Sequence, residues 1–200
     1  MSRRGWLLVA VLAALPGAFH WARHRPVAHA PGVLVAAEPV QSAPRDAAPL
    51  EHGDFTLTPL ADFTIQARVL SRADYRFDAM SALVPTDLAL GWGRMSDSAV
   101  LEQLDMSQSA RFYTYRWHGE PPIPLPEIVR SSTNVHLIPG DATVERQLSR
   151  VVVGHIVTLR GQLVAAQRAD GWQARSSLSR EDTGGGACEL LLVREVAIGY

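Results

Sequence analysis

Three side chains of this sequence have the types that nucleophilic catalysis uses. Cys188, the single cysteine, stands in DTGGGACE directly after a glycine run, and His136 stands in NVHLIP with Asn134 two residues before it. A thiol becomes a nucleophile when an imidazole takes its proton and a third group orients that imidazole. Cys188, His136 and Asn134 are therefore the candidate catalytic set of a small hydrolase or transferase. The spacing also supports a plainer role. In ACELLLV, Cys188, Leu190 and Leu192 fall at period two, and a cysteine heading an apolar row is ordinarily a buried thiol. The core thiol is the first expectation and the catalytic set its alternative.

Glu181, Asp182 and Glu189 surround the same glycines. A hard cation needs six or more oxygens, and EDTGGG supplies acids only at its start, so a turn is predicted in which Asp182 and Thr183 bond the backbone. Arg180 stands where it can pair with Asp182 or Glu189 beside that turn. The histidines at 52, 118, 136 and 155 include no pair at i, i+2 or i, i+4, so no metal site and no cofactor is expected. Trp92 in GWG, Tyr115 and Trp117 in the aromatic run, and Arg180 and Asp182 at the glycine turn form the candidate binding set, suited to stacking a sugar or peptide. A formal net charge of -1 and equal numbers of arginines and acids after residue 131 offer no basic groove, so no nucleic-acid partner is expected. All 19 basic residues are arginine, a compositional bias from which no mechanism follows.

Alternating stretches predict the elements that must position these residues. Phe55 and Leu57, then Phe63, Ile65, Ala67 and Val69, read as two strands. Thr86 or Asp87 is predicted to cap a short turn through Leu90, and Ser96 a helix carrying Val100, Leu101 and Leu104. Residues 108–117 read as one aromatic strand, and GEPPIPLPE as an extended loop. After the strand NVHLIP comes a helix capped by Asp141, with Val144 and Leu148 in its apolar stripe. HIVTLRGQLVAAQ reads as a strand bent at Gly161, followed by strands in GWQARSSLS and ACELLLVREVAI joined through REDTGGG. The predicted fold class is α+β, mainly antiparallel β with two or three short helices. Its C-terminal half is expected to be barrel-like, of the oligonucleotide/oligosaccharide-binding (OB) kind, behind an N-terminal hydrophobic helix.

The amino terminus carries the firmest signal. Arg3 and Arg4 precede an uncharged apolar run, and Trp21, Arg23 and Arg25 follow it. This is a targeting segment, barely as long as the roughly 17 residues that span about 30 Å of hydrocarbon. Residues 1–25 are predicted to be a signal anchor, with cleavage and secretion as the alternative. Residues 26–53, rich in proline and alanine, are predicted to be a tether, and 54–200 a single folded domain. A chain of 200 residues, 47% of them hydrophobic, is sized for one such core, and a single cysteine excludes an internal disulfide.

The motifs YRFDAMSALVPTDLALGWGRMSD, NVHLIP and SLSREDTGGGACE, spread over residues 74–193, resemble a family of bacterial envelope proteins to which no activity is attached. The resemblance implies export and a shared fold. The expected protein is thus a single-pass inner-membrane protein with its folded part on the periplasmic side. There it serves as a non-catalytic binding or accessory module, with an envelope protein or cell-wall component as partner.

Overall fold

The computed structural model describes residues 25–199; the expected anchor, residues 1–25, lies outside them except for Arg25. The fold is α+β, mainly antiparallel sheet with three short helices among the described residues. The strands are β1 (Val40–Ser42), β2 (Leu50–His52), β3 (Phe55–Asp74), β4 (Thr86–Gly91), β5 (Asp105–Ser109), β6 (Phe112–Arg116), β7 (Ser132–Pro139), β8 (Ile156–Arg168), β9 (Gln173–Arg175) and β10 (Glu189–Gly199). The helices are α1 (Ser98–Leu101), α2 (Leu125–Arg130) and α3 (Ala142–Leu148). No helix among the described residues is long and apolar enough to cross a membrane.

The two strands predicted between 55 and 69 are one. β3 buries every second residue from Phe55 to Val69, and Pro59, which has no N–H to donate, is accommodated at a bulge before Ala61. From β3 the pairing runs antiparallel to β4 and on to β7, then parallel from β7 to β10, antiparallel to β8, and back to β3. The ring of pairings therefore closes, and it draws on both halves of the chain rather than on the C-terminal half alone. Leu88 and Leu90, Val135 and Leu137, Leu159 and Leu163, and Leu191 and Val193 meet Phe63 and Ile65 in one buried cluster at its centre. Each such side chain contributes about 2 kcal/mol of burial. Because side chains alternate along a strand, Asp87, Asn134, His136, Leu190 and Leu192 are turned to the outer face.

Several local predictions are corrected by this closure. Residues 86–90 are not a capped turn but a strand buried along its whole length, since it is covered on both faces. Asp97, not Ser96, caps α1 through a bond accepted from Ala99 N. The aromatic run is a hairpin, β5 with β6, turning at Ala110 and Arg111. Asp141 caps α3 as predicted, accepting from the N–H groups of Thr143 and Val144.

The segment predicted as a tether is laid along the fold. Val27 N donates to Val153 O at 2.9 Å. Leu34 N and Val35 N both donate to Ser96 Oγ, and Val35 is buried in the central cluster. β1 and β2 both pair with β3. Sparse periodicity hid these contacts, because most are backbone bonds that leave no mark on side-chain pattern.

Gly161 lies where β8 crosses a bulge in β10. A Cβ there would collide with the Leu192 carbonyl oxygen. Gly161→Ala is expected to lower the unfolding free energy by about 3 kcal/mol, the upper range for overpacking. Urea denaturation with an unchanged m-value checks it.

Candidate functional site

Three neighbouring strands of the ring carry the site on their outer face. Asp87 of β4 pairs in register with His136 of β7, and His136 with Leu190 of β10. One step toward the start of β10, Cys188 comes against Asn134, whose Nδ2 is 3.6 Å from the sulfur. The parity that keeps Val135, Leu137, Leu191 and Val193 inside is what places Asn134, His136 and Cys188 outside together.

Asp87 is fully buried and holds two cationic groups on one oxygen. Arg111 donates from its guanidinium to Oδ1 at 2.9 Å, and His136 Nδ1 stands 3.0 Å from the same atom. The second approach lies off the direction of a well-formed N–H bond, and Nδ1 has no aligned acceptor. It is thus a close ion pair rather than a directed hydrogen bond. Burial works against charge on the His136 ring, but Asp87 and the Cys188 sulfur outweigh it and carry its pKa up to about 9. At neutral pH the site therefore holds an imidazolium beside the Cys188 sulfur.

The β5–β6 hairpin clasps this arrangement from above. Its tip residues Ala110 and Arg111 have φ of 49° and 70°. A two-residue hairpin of this hand asks for glycine or asparagine, so both side chains carry left-handed strain. Arg111 provides what offsets it. Its N–H donates to Tyr75 Oη, its carbonyl accepts from Asn134 Nδ2 at 2.9 Å, and its guanidinium bonds Asp78 and lies 3.8 Å over the Tyr75 ring. Gln108 donates to Asn134 Oδ1 at 2.7 Å, fixing which way that amide faces.

Beside Cys188 opens a cleft of about 380 Å³ between β6, the junction of α2 with β7, and the glycine loop. Phe112, Tyr115, Val129 and Asn134 line it with Asp182 and Cys188. Cys188 is half-buried, not a core thiol. The apolar row it seemed to head begins with Leu190, and the residue that enters the buried strand first is Glu189. Burial raises the Glu189 carboxyl to about 7, against the opposing effect of a bond from Thr133.

The structure distributes the other candidates unevenly. Tyr115 and Asp182 line the cleft. Trp117 stacks on Tyr115 with centroids 6.3 Å apart. Trp92 is 2% exposed in the central cluster, where packing takes up its ring. Arg180 pairs with neither Asp182 nor Glu189 but donates to Pro39 O at 2.7 Å, and Asp182 accepts from Ser177 Oγ. Sequence reasoning missed Asp87 and Arg111 as site residues. The sequence reads Asp87 as a candidate cap, and its place directly before the apolar stretch Leu88-Ala89-Leu90 is the mark it leaves. Among the described residues no group of three or more His, Cys, Asp and Glu side chains is arranged to hold a metal. Comparison of the chain with protein families, curated proteins and solved structures finds no match.

Proposed function

We propose that this protein is a small thiol-dependent hydrolase or acyltransferase. The observation that carries it is the convergence of Asp87 and His136 behind Cys188, which lines an open cleft. Cys188 is the nucleophile, His136 the proton carrier and Asp87 the group that orients and charges the ring. With the Cys188 proton held on the His136 ring, the sulfur adds to a substrate carbonyl, forming a carbon–sulfur bond and an oxyanion. As the oxyanion collapses, His136 gives its proton to the leaving group. Water or an acceptor nucleophile, deprotonated by His136, then attacks the thioester and releases the thiol. Asn134 Nδ2, held by Arg111 O and next to the sulfur, is the side-chain donor assigned to the oxyanion. The unaligned contact between His136 and Asp87 is of the kind that tightens when substrate is bound.

The strand order supports a barrel of the OB kind. It has five strands, a parallel pair between the third and the fifth, and a helix between the third and the fourth. The outer face of the second and third strands is the usual binding face of such barrels, and β4 and β7 occupy those places. The apolar amino-terminal segment supports placing the activity in the bacterial envelope.

Acylation by p-nitrophenyl acetate tests the proposal on the full chain. A burst of about one p-nitrophenolate per chain is expected, with the acetyl group found on Cys188 by peptide mass. His136→Ala should slow acylation by about 100-fold and Cys188→Ser should abolish the burst. Acylation no faster than that of free cysteine, or indifferent to His136, overturns it.

The ladder of Tyr113, Tyr115 and Trp117, with centroids 5.6 and 6.3 Å apart, favours a second reading as a binding module for an envelope protein or cell-wall component. Crosslinking in intact membranes distinguishes it, since a bound partner retained by Cys188→Ser supports binding without catalysis.

A further inference from the structure

The cleft has walls of one character and a single fixed charge. Phe112, Tyr115 and Val129 give it an apolar side, and Phe112 is 48% exposed with no partner ring among the described residues. Ser132, Thr133, Thr114 and Asn134 add neutral polar groups. Apart from Cys188 and the two tyrosines, its only ionisable lining residue is Asp182, at the mouth of the glycine loop. Ser177 Oγ donates to Asp182 Oδ2 at 2.7 Å, which holds the carboxylate in place. His136 and Arg111 are both turned to Asp87 and do not line the cleft, and Arg180, which borders the adjoining hollow with Asp182, is turned to Pro39 O. Asp182 therefore supplies the negative charge on the wall of the cleft itself.

We infer that the cleft selects substrates whose acyl part is uncharged or cationic and bears an apolar or aromatic group, and that Asp182 is the residue that rejects anionic ones. The apolar wall takes the side group, and the carboxylate either accepts a bond from an amine or repels an acid. This rests on Cys188 being the reacting thiol.

Because Cys188 is the single cysteine, methanethiosulfonates of different charge read the cleft directly. Each reaction forms a mixed disulfide on the sulfur as methanesulfinate leaves. The full chain is treated with the trimethylammonium-ethyl, sulfonato-ethyl, benzyl and methyl reagents, and every rate is divided by the rate on N-acetylcysteine amide. The ammonium reagent is expected to be favoured over the sulfonate by about tenfold, the size set by one carboxylate at short range. Asp182→Asn should bring that ratio near one while leaving the fold intact, since Asp182 is exposed. The benzyl reagent should be favoured over the methyl by about fivefold, and Phe112→Ala should remove that preference. A ratio of one or a preference for the sulfonate in the unmodified chain overturns the inference, as does a ratio unchanged by Asp182→Asn. The rate ratios do not depend on how reactive the thiol is. A charge preference with no acylation by p-nitrophenyl acetate would leave the selectivity standing and remove the catalytic proposal.

Discussion

Asp87→Asn is expected to cost the folded state about 3 kcal/mol and to return His136 to an uncharged ring at neutral pH. Asp87 is the one anion that both Arg111 and His136 face, and its side chain is wholly buried. Removing one member of a buried charged group costs about 3 to 5 kcal/mol, because the remaining charges lose their compensation without regaining water. Asparagine keeps the shape and can still accept from Arg111, which also retains Asp78, so the lower end applies. His136 is then left with burial, which lowers its pKa, and with Cys188 as its only remaining support. Urea denaturation measures the first effect and NMR titration of the ring the second. A loss below about 1 kcal/mol together with an unshifted His136 would show that the carboxylate does not charge the ring. The same variant should acylate at Cys188 as slowly as His136→Ala, and combining the two should add little, as expected for groups that act as a unit.

The second large effect is a fall in stability with rising pH. His136 in the fold titrates at about 9, against 6.5 for the ordinary ring. Below 6.5 both folded and unfolded chains hold the proton, so the stabilisation is complete. Between 6.5 and 9 only the folded chain holds it, and the advantage declines until it is gone above 9. The total is on the order of 3 kcal/mol. Glu189, raised to about 7 from 4.5, acts with the same sign in the window just below. His52 and His155 are shifted downward, so their opposite contributions end by about 6.5. Equilibrium denaturation between pH 7.5 and 9, above the Glu189 window and below that of the tyrosines, whose raised pKa values act with the same sign toward 10, therefore centres on His136. A clear downward slope is expected in the native chain and a nearly flat profile in His136→Gln. Equal slopes in both would remove the imidazolium from the site.

Period-two parity already held much of this site. Asn134 and His136 share a face because Val135 and Leu137 are apolar, and the same rule sets Cys188 opposite Glu189. What parity could not supply was the neighbour relation, that β7 and β10 run side by side and parallel although their starts, Ser132 and Glu189, lie far apart in the chain. Without that pairing, Cys188 heading a row of leucines looked like a core residue. Asp87 was hidden for another reason. A strand buried on both faces loses alternation, and an acid followed by a short apolar run imitates a helix cap. Arg111 was less accessible still, since its role depends on a left-handed hairpin tip that neither alanine nor arginine announces. The early chain shows little side-chain period because its own backbone N–H groups, bonded to Ser96 Oγ and Val153 O, do much of the fastening.

Those bonds also decide how much slack the described chain leaves ahead of the fold. Val27 is already fastened to Val153, so no more than about 10 Å of extended chain separates residue 24 from the fold. The described residues before the fold therefore act as part of its wall and add no reach to it, so a substrate meets the cleft at a place fixed relative to Val27.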